Sequence, residues 1–179
     1  QRGFARLRVF DAKKAKGDYI LLLNNDTIIE DTGIIKMLDY LKTHTEIGAL
    51  GGKIYNIDGT EQPASGKFYS LLTLTLFLLG FQRLGLVDKN PTTISQVDWV
   101  KGALLMIKKN VFEKLKGFDE KIFLYTEDME LCYRIHKLGL SCAFFPDITI
   151  KHKEHGTGNR TSAIINIYAN LPYFYKKQK

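Results

Sequence analysis

The sequence predicts an α/β fold of alternating strands and helices, and three observations carry that expectation. The run YILLL (residues 19–23) is uninterrupted apolar sequence of strand length, as a strand covered on both faces shows. The segment TEDMELCYRIHKLG (residues 126–139) has a helical period, an acidic first turn and a glycine at its end. Strand-like and helix-like segments alternate along the rest of the chain.

Taken in order, residues 5–16 read as a basic helix ending at Gly17. The strand over residues 19–23 follows. Asp31 or Thr32 suits the cap of a helix reaching about His44, with Ile34, Ile35, Leu38 and Leu41 on one face. IGALGGKIYN reads as a second strand. IDGTEQPASGK reads as a turn and loop, because Asp58-Gly59 is a tight-turn signal and Pro63, Ser65 and Gly66 extend it. After an apolar segment and a loop around VDKNPTT, VDWVKGALLMIKK reads as strand. Asn110 with Glu113 resembles a capping box opening a short helix that stops at Gly117. Thr126 is the expected N-cap of the clearest helix. SCAFFPDITIKH is a further strand, and the tail from Ala163 to Tyr175 reads as a helix containing Pro172.

With 179 residues, 45% hydrophobic and 25% charged, the chain suits one domain with a real core. The net charge of +7 favours anionic partners such as phosphorylated small molecules, nucleic acid or an acidic membrane surface, although a solubilising excess of lysine gives the same number. No aromatic-basic RNA motif or recognition-helix pattern is present, so nucleic acid is not an expected partner. Cys132 and Cys142 form no CxxC pair and read as free thiols in a reducing compartment. The start, QRGFARLRVFDAKKAKG, is basic without the apolar segment of a signal peptide. LLTLTLFLLGF (residues 71–81) falls short of the roughly 20 residues that span a bilayer. It remains a candidate for a buried helix, for peripheral membrane contact with Lys67, Phe68, Tyr69 and Arg83, or for the interface of a homodimer.

Three places could carry chemistry. Asn24, Asn25 and Asp26 end the first apolar run, where α/β sheets gather ligands. A carboxylate there can reach Mg²⁺, which takes few protein ligands and fills its octahedron with phosphate and water. A plain Asx turn would use the same residues. In the helix after Tyr125, Asp128 shares a face with Leu131, Cys132 and Ile135, so an apolar face carries a carboxylate in its first turn. An acid bordering a cavity is a candidate general base, and the helix dipole alone accounts for one acid better than three. Glu127 points elsewhere, and Glu130 can pair with Arg134 one turn on. Finally, KHKEHGTGNR offers His152 and His155 as metal ligands and Lys151, Lys153 and Arg160 as phosphate partners, or simply a basic surface loop.

Together these segments resemble family 2 glycosyltransferases of the GT-A fold, in particular the rhamnosyltransferase-like branch that builds bacterial and archaeal surface polysaccharides. AKGDYILLLNNDT resembles the strand entering that family's DxD-type motif, and the region from VDWVKGALLMIKK to ITIKH resembles its acceptor-side and catalytic region nearly without gaps. The resemblance implies a GT-A-like, Rossmann-like mixed sheet flanked by helices. It implies that Asp26 ligates Mg²⁺ or Mn²⁺ beneath a nucleotide-sugar diphosphate, with Asn24 and Asn25 on the donor side and Asn24 in place of the first acid of a strict DxD. It implies Asp128 as general base with Glu127 beside it, His152 as a metal or diphosphate ligand, and Trp99, Gly102 and Ala103 on the acceptor side.

The activity implied is inverting sugar transfer from a nucleotide-sugar donor to a glycan or lipid-linked acceptor, in the cytoplasm or at the inner face of the membrane. Relatives usually begin with a further nucleotide-binding segment, so the chain is expected to be the later part of a larger enzyme. Gln1, Arg8 and Asp11 stand where that family usually has Asn, Asn and Gly, which leaves activity of this stretch alone as an open expectation. The alternative is a non-catalytic sugar- or membrane-binding module derived from such an enzyme.

Overall fold

The computed structural model describes residues 12, 14–29, 32–68, 75, 90–122, 124–152 and 160–178. Most of residues 5–16 and all of 71–81 but residue 75 fall outside these, as do Asp31, Lys153 and His155 and the side chain of Arg160; residues 14–16 are described and are not helical, so the helix expected to reach Gly17 does not extend that far. The order is β1 (Tyr19–Leu23), β2 (Thr27–Ile29), α1 (Gly33–Thr43), β3 (Ile47–Tyr55), β4 (Glu61–Gln62), β5 (Ser65–Gly66), β6 (Ser95–Val97), β7 (Trp99–Val100), β8 (Leu104–Lys108), α2 (Lys109–Lys114), α3 (Glu127–Lys137), β9 (Ser141–His152) and α4 (Arg160–Gln178).

Among the described residues, seven strands form a mixed sheet with the path β1-β8-β3-β9-β2, to which β4 adds on β3 and β6 on β9. Strand β3 runs antiparallel to β8 and parallel to β9. The sheet is covered on both faces. Ile20, Leu22, Leu105 and Ile107 join Leu131, Cys132 and Ile135 of α3 and Val111 and Phe112 of α2 in one cluster. Leu50, Ile54, Leu104 and Met106 join Met37 and Leu41 of α1 in the other. This is why β1 is apolar at successive positions, though Tyr19, Leu21 and Leu23 are half-buried rather than sealed. Each fully buried large side chain contributes about 1.5–3 kcal/mol relative to exposure.

Several expectations are corrected in detail. In α1 the inward stripe is Ile34, Met37, Leu38 and Leu41, while Ile35 is 61% exposed. Thr32 stands at the N-cap, but its side chain makes no capping hydrogen bond. VDWVKGALLMIKK is not one strand: β6, β7 and β8 are separated at Asp98 and by the turn Lys101–Gly102–Ala103, where the Lys101 amide donates to the Ala64 carbonyl and the Leu104 amide to that of Lys101. Loop residues 61–66 contribute β4, which folds back on the end of β3, and β5, whose partner β7 lies far along the chain. The capping box at Asn110 does not form. Strand β8 runs straight into α2, Lys108 is the N-cap in extended conformation, and Asn110 lies inside the helix.

Two glycines of β3 are required by close approach. A Cβ on Gly51 would stand 2.6 Å from Cβ of Val100, and one on Gly48 would stand 2.7 Å from Cγ2 of Ile135. The missing side chains let β7 and α3 lie directly on the sheet.

Helix α4 is fastened by Leu171 and Phe174, the latter packing against the rings of Phe68 and Tyr133. Its Lys177 reaches Asp119 and Glu130. Glu130 is fully buried and also receives a bidentate Arg134, which donates in turn to the Leu115 and Gly117 carbonyls. With its charge so partnered, this carboxylate can remain in the interior. Pro172 sits within the helix and is exposed. No helix among the described residues is long and apolar enough to cross a membrane.

Candidate functional site

The chain leaves β1 at Leu23 and turns at once. The Asn24 amide donates to the Ala103 carbonyl at 3.3 Å, and Thr27 Oγ1 donates back to the Asn24 carbonyl at 2.7 Å. The turn delivers the chain to β2, which pairs with the end of β9 in the register Thr27↔His152. Asp26 and His152, distant in sequence, are thereby placed side by side: Nε2 of His152 lies 3.3 Å from Oδ1 of Asp26.

Three side chains meet here. Nδ2 of Asn24 lies 2.9 Å from Nε2 of His152. An amide nitrogen can only donate, so Nε2 offers its lone pair. On the other side of the ring, Nδ1 of His152 lies 3.2 Å from Oε1 of Gln62. The imidazole is buried and the Asp26 carboxylate is partly open. A lone pair of nitrogen and a carboxylate oxygen thus face each other at 3.3 Å, with the carboxylate partly open to solvent. That donor set fits a divalent cation such as Mn²⁺ or Mg²⁺. Among the described residues no group of three or more His, Cys, Asp and Glu side chains could enclose a metal. A cation on Asp26 and His152 would therefore keep positions for phosphate oxygens and water. Asn25 is exposed at the tip of the turn.

The second part of the site begins at the residue next to the Asn24–Ala103 bond. The Gly102 amide donates to Oδ2 of Asp128 at 2.9 Å, and the Met129 amide donates to its Oδ1 at 2.8 Å. Asp128 is half-buried, whereas its helical neighbours Leu131, Cys132 and Ile135 are sealed in the core. Thr126 is the N-cap residue, as expected, but its backbone is left-handed at φ 67° and its side chain makes no cap bond. Tyr125 before it is left-handed too, at φ 63°. Nδ2 of Asn170, on α4, donates to the carbonyls of Leu124 and Tyr125 at 2.9 Å each and so braces this strained entry. Glu127 is buried beside it, and the Glu130–Arg134 pair forms as the spacing predicts.

Of the expected acceptor-side residues, Gly102 and Ala103 connect the two halves through their backbone. The Trp99 indole is mostly buried and donates to the Lys67 carbonyl at 3.1 Å. Sequence reasoning missed Gln62, Lys101 and Asn170, which lie in segments without a motif and gain their partners only on folding. Cys132 and Cys142 are free and buried, as expected of structural thiols. The thiol of Cys142 is raised well above its ordinary range by its hydrogen bond with Cys132 and by burial.

The sequence pattern of a family described as "Glycosyltransferase like family 2" matches residues 1–166. The chain is 26% identical over 171 residues to an N-acetylglucosaminyl-diphospho-decaprenol L-rhamnosyltransferase of Mycobacterium tuberculosis, a match covering 88% of this chain and 54% of that protein. It is 23% identical over 145 residues to the rhamnosyltransferase WbbL of Escherichia coli, covering 80% of this chain and 55% of that one. The chain thus spans about half the length of these curated relatives. Among solved structures, GalNAc-T7 with UDP, GalNAc and Mn²⁺ superposes with a TM-score of 0.68 at 17% identity, over 98% of this chain and 35% of that one. A mannosyltransferase from Pyrobaculum calidifontis in complex with GDP-Man and Mn²⁺ superposes with a TM-score of 0.59 at 14% identity, over 97% and 44%. These likenesses show the fold, a GT-A mixed sheet flanked by helices.

Proposed function

The chain belongs to glycosyltransferase-like family 2, and from that premise we propose that it carries the metal, donor-diphosphate and base side of a metal-dependent inverting glycosyltransferase. The substrates are a nucleotide-sugar donor and a glycan or lipid-linked acceptor, in the assembly of a surface polysaccharide. The observation that carries this reading is the approach of Asp26 and His152 to 3.3 Å at the end of the sheet, with Asp128 held by Gly102 in the neighbouring turn, whose Ala103 carbonyl accepts from the Asn24 amide. Similarity to rhamnosyltransferases, one of them acting on a diphospho-decaprenol, supports the reaction class and a lipid-linked acceptor. Work at the cytoplasmic face of a membrane is part of the proposal, supported by the two free thiols.

Asp26 and His152 would hold Mn²⁺ or Mg²⁺, which when bound supplies positive charge against the leaving diphosphate. Asn24 and Asn25 line the donor side of the same turn. Asp128 is held by two backbone amides and keeps lone pairs for an acceptor hydroxyl. It takes the hydroxyl proton as that oxygen bonds to the anomeric carbon. The bond from this carbon to the diphosphate oxygen breaks, and its electron pair leaves with the nucleoside diphosphate. Attack opposite the leaving group inverts the centre and requires no covalent enzyme intermediate. Gly102 and Ala103, with Trp99 behind them, form the acceptor-side wall and set the separation of base and donor.

The test is a screen of nucleotide sugars with Mn²⁺, using the longest reading frame that contains this chain. Released nucleoside diphosphate is measured, and the anomeric configuration of the product is read by NMR. Turnover with inversion supports the proposal. Glycan binding that persists in Asp128→Asn, with no turnover by the unaltered protein, would replace it with a non-catalytic binding module.

A further inference from the structure

Gln62 lies outside every motif, yet it is 1% exposed and all its side-chain polar capacity is directed at one end of the sheet. Its Oε1 accepts from Nζ of Lys101 at 2.9 Å and lies 3.2 Å from Nδ1 of His152. Its Nε2 donates to Oδ1 of Asn56 at 2.6 Å and to the His152 carbonyl at 3.2 Å. The amide orientation is over-determined. A lysine ammonium has no lone pair, so it can meet only Oε1; a backbone carbonyl has no proton, so it can meet only Nε2.

From this geometry we propose that Gln62 is the positioning residue of the candidate metal site, holding His152 in the tautomer with its proton on Nδ1 and its Nε2 lone pair directed at Asp26. The reasoning runs from the fixed end outward. Lys101 and the His152 carbonyl set the amide; the amide then presents an acceptor to Nδ1; Nδ1 must carry a proton; in the neutral ring Nε2 is then left as the electron-pair donor. Asn24 is consistent with this from the far side, because its Nδ2 is a donor placed at Nε2. Ligating histidines need such a partner, since the hydrogen bond at the distal nitrogen selects the tautomer and fixes the ring plane. The fold provides the contact through strand order. Gln62 pairs with Ile54 of β3, and Ile54 also pairs with Ile150 of β9, two residues before His152. The network therefore crosses three adjacent strands.

This inference rests on the metal reading for its purpose, but not for its test. In metal-free protein, long-range ¹H–¹⁵N correlation spectra of the imidazoles report which nitrogen is protonated, with His152 assigned by the loss of its signals in His152→Asn. Neutral His152 is expected as the Nδ1–H tautomer. In Gln62→Leu that preference should be lost, and the affinity for Mn²⁺ alone, measured by titration calorimetry, should fall about 10- to 100-fold. Gln62→Glu gives up both donations from Nε2, to Asn56 and to the His152 carbonyl, but keeps an acceptor for Nδ1 and Lys101. It should retain the tautomer and bind Mn²⁺ at least as tightly as the unaltered protein, which also covers the case of Gln62→Leu failing to fold. An Nε2–H tautomer in the unaltered protein, a tautomer unchanged in Gln62→Leu, or its loss in Gln62→Glu would each overturn the role of Gln62. Failure of the unaltered protein to bind Mn²⁺, with the tautomer behaving as described, would instead overturn the metal reading and leave the role of Gln62 upheld.

Discussion

The backbone amide of Gly102 donates to Oδ2 of Asp128 at 2.9 Å, joining the turn that enters β8 to the first turn of α3. Through Ala103, whose carbonyl accepts from the Asn24 amide, the same turn also touches the end of β1. The proposed base and the proposed metal site therefore share one short piece of backbone.

Asp128→Asn keeps the shape and an acceptor oxygen but removes the proton acceptor. Turnover is expected to fall about 10²- to 10⁴-fold, with Mn²⁺ affinity nearly unchanged and stability lower by about 1–3 kcal/mol, because one of the two backbone amides that Asp128 accepts from loses its acceptor. Steady-state kinetics beside thermal melts check this. A variant retaining most of its turnover would remove Asp128 from the role of base.

Asp26→Asn and His152→Ala each remove a proposed cation ligand. Mn²⁺ with a nucleoside diphosphate should raise the melting temperature of the unaltered protein, since a ligand binding only the folded state at 100 times its Kd stabilises by about 2.7 kcal/mol. Both variants should lose that shift, and EDTA should abolish it. Differential scanning fluorimetry reads the result, and an equal shift in all three proteins would contradict the assignment.

Asn170→Ala removes the two bonds bracing Leu124 and Tyr125 ahead of the left-handed Tyr125–Thr126 pair. Stability is expected to drop by about 1–3 kcal/mol. Turnover should drop further than Mn²⁺ affinity, because the brace supports Asp128 and not Asp26. Equal losses in both would mean that α4 supports the fold without regard to the site.

The ion network at α4 predicts a stability profile against pH. Burial by itself would raise the Asp119 carboxyl, but hydrogen bonds from Lys177, the Lys121 amide and Tyr173 outweigh it and hold the group at about 2, below its ordinary 3.8. A carboxyl lowered in the folded state stabilises above its ordinary value, and the contribution is lost as pH falls from 3.8 through about 2. Lys177 behaves in the opposite sense. Burial would lower it, but its bonds to Asp119 and Glu130 raise it above 10.5, so its contribution is complete below that pH and fades on alkaline titration through the folded value. Urea midpoints against pH should show an acid limb that flattens in Asp119→Asn. An unchanged limb would assign acid unfolding to other groups.

Gly51→Ala tests the contact between β3 and β7. Its Cβ would stand 2.6 Å from Cβ and 2.9 Å from Cγ1 of Val100, so one strand must move. The expected cost is about 1–3 kcal/mol, partly recovered by adding Val100→Ala, and a double-mutant cycle in urea measures the coupling.

Much of the fold was legible because its signals are local. The apolar runs of β1 and β9, the period of α3 and its closing Gly139 follow from residues a few positions apart. The Glu130–Arg134 pair was legible for the same reason, being one helical turn in span. The errors fall where tertiary partners decide. Apolar periodicity could not show that VDWVKGALLMIKK is cut by a turn at Lys101, because the cut depends on the Ala64 carbonyl that accepts from it. Nor could it show that Asn110 would be overrun by a strand passing directly into a helix. Ile35 and Met37 exchange roles because the angular position of α1 over the sheet is set by packing.

The sequence alone determined the alternation of elements, the carboxylate at the end of β1 and the acid in the first turn of α3, since these depend on side-chain chemistry and backbone period within short windows. Only the tertiary structure decided that Asp26 meets His152, that Gly102 holds Asp128 and that Gln62 sits behind the imidazole. Those contacts join residues 126, 26 and 90 positions apart. They exist because a mixed sheet packed on both faces aligns the ends of β1, β4 and β9, and strand register, unlike helical period, is written in partners that the local sequence does not contain.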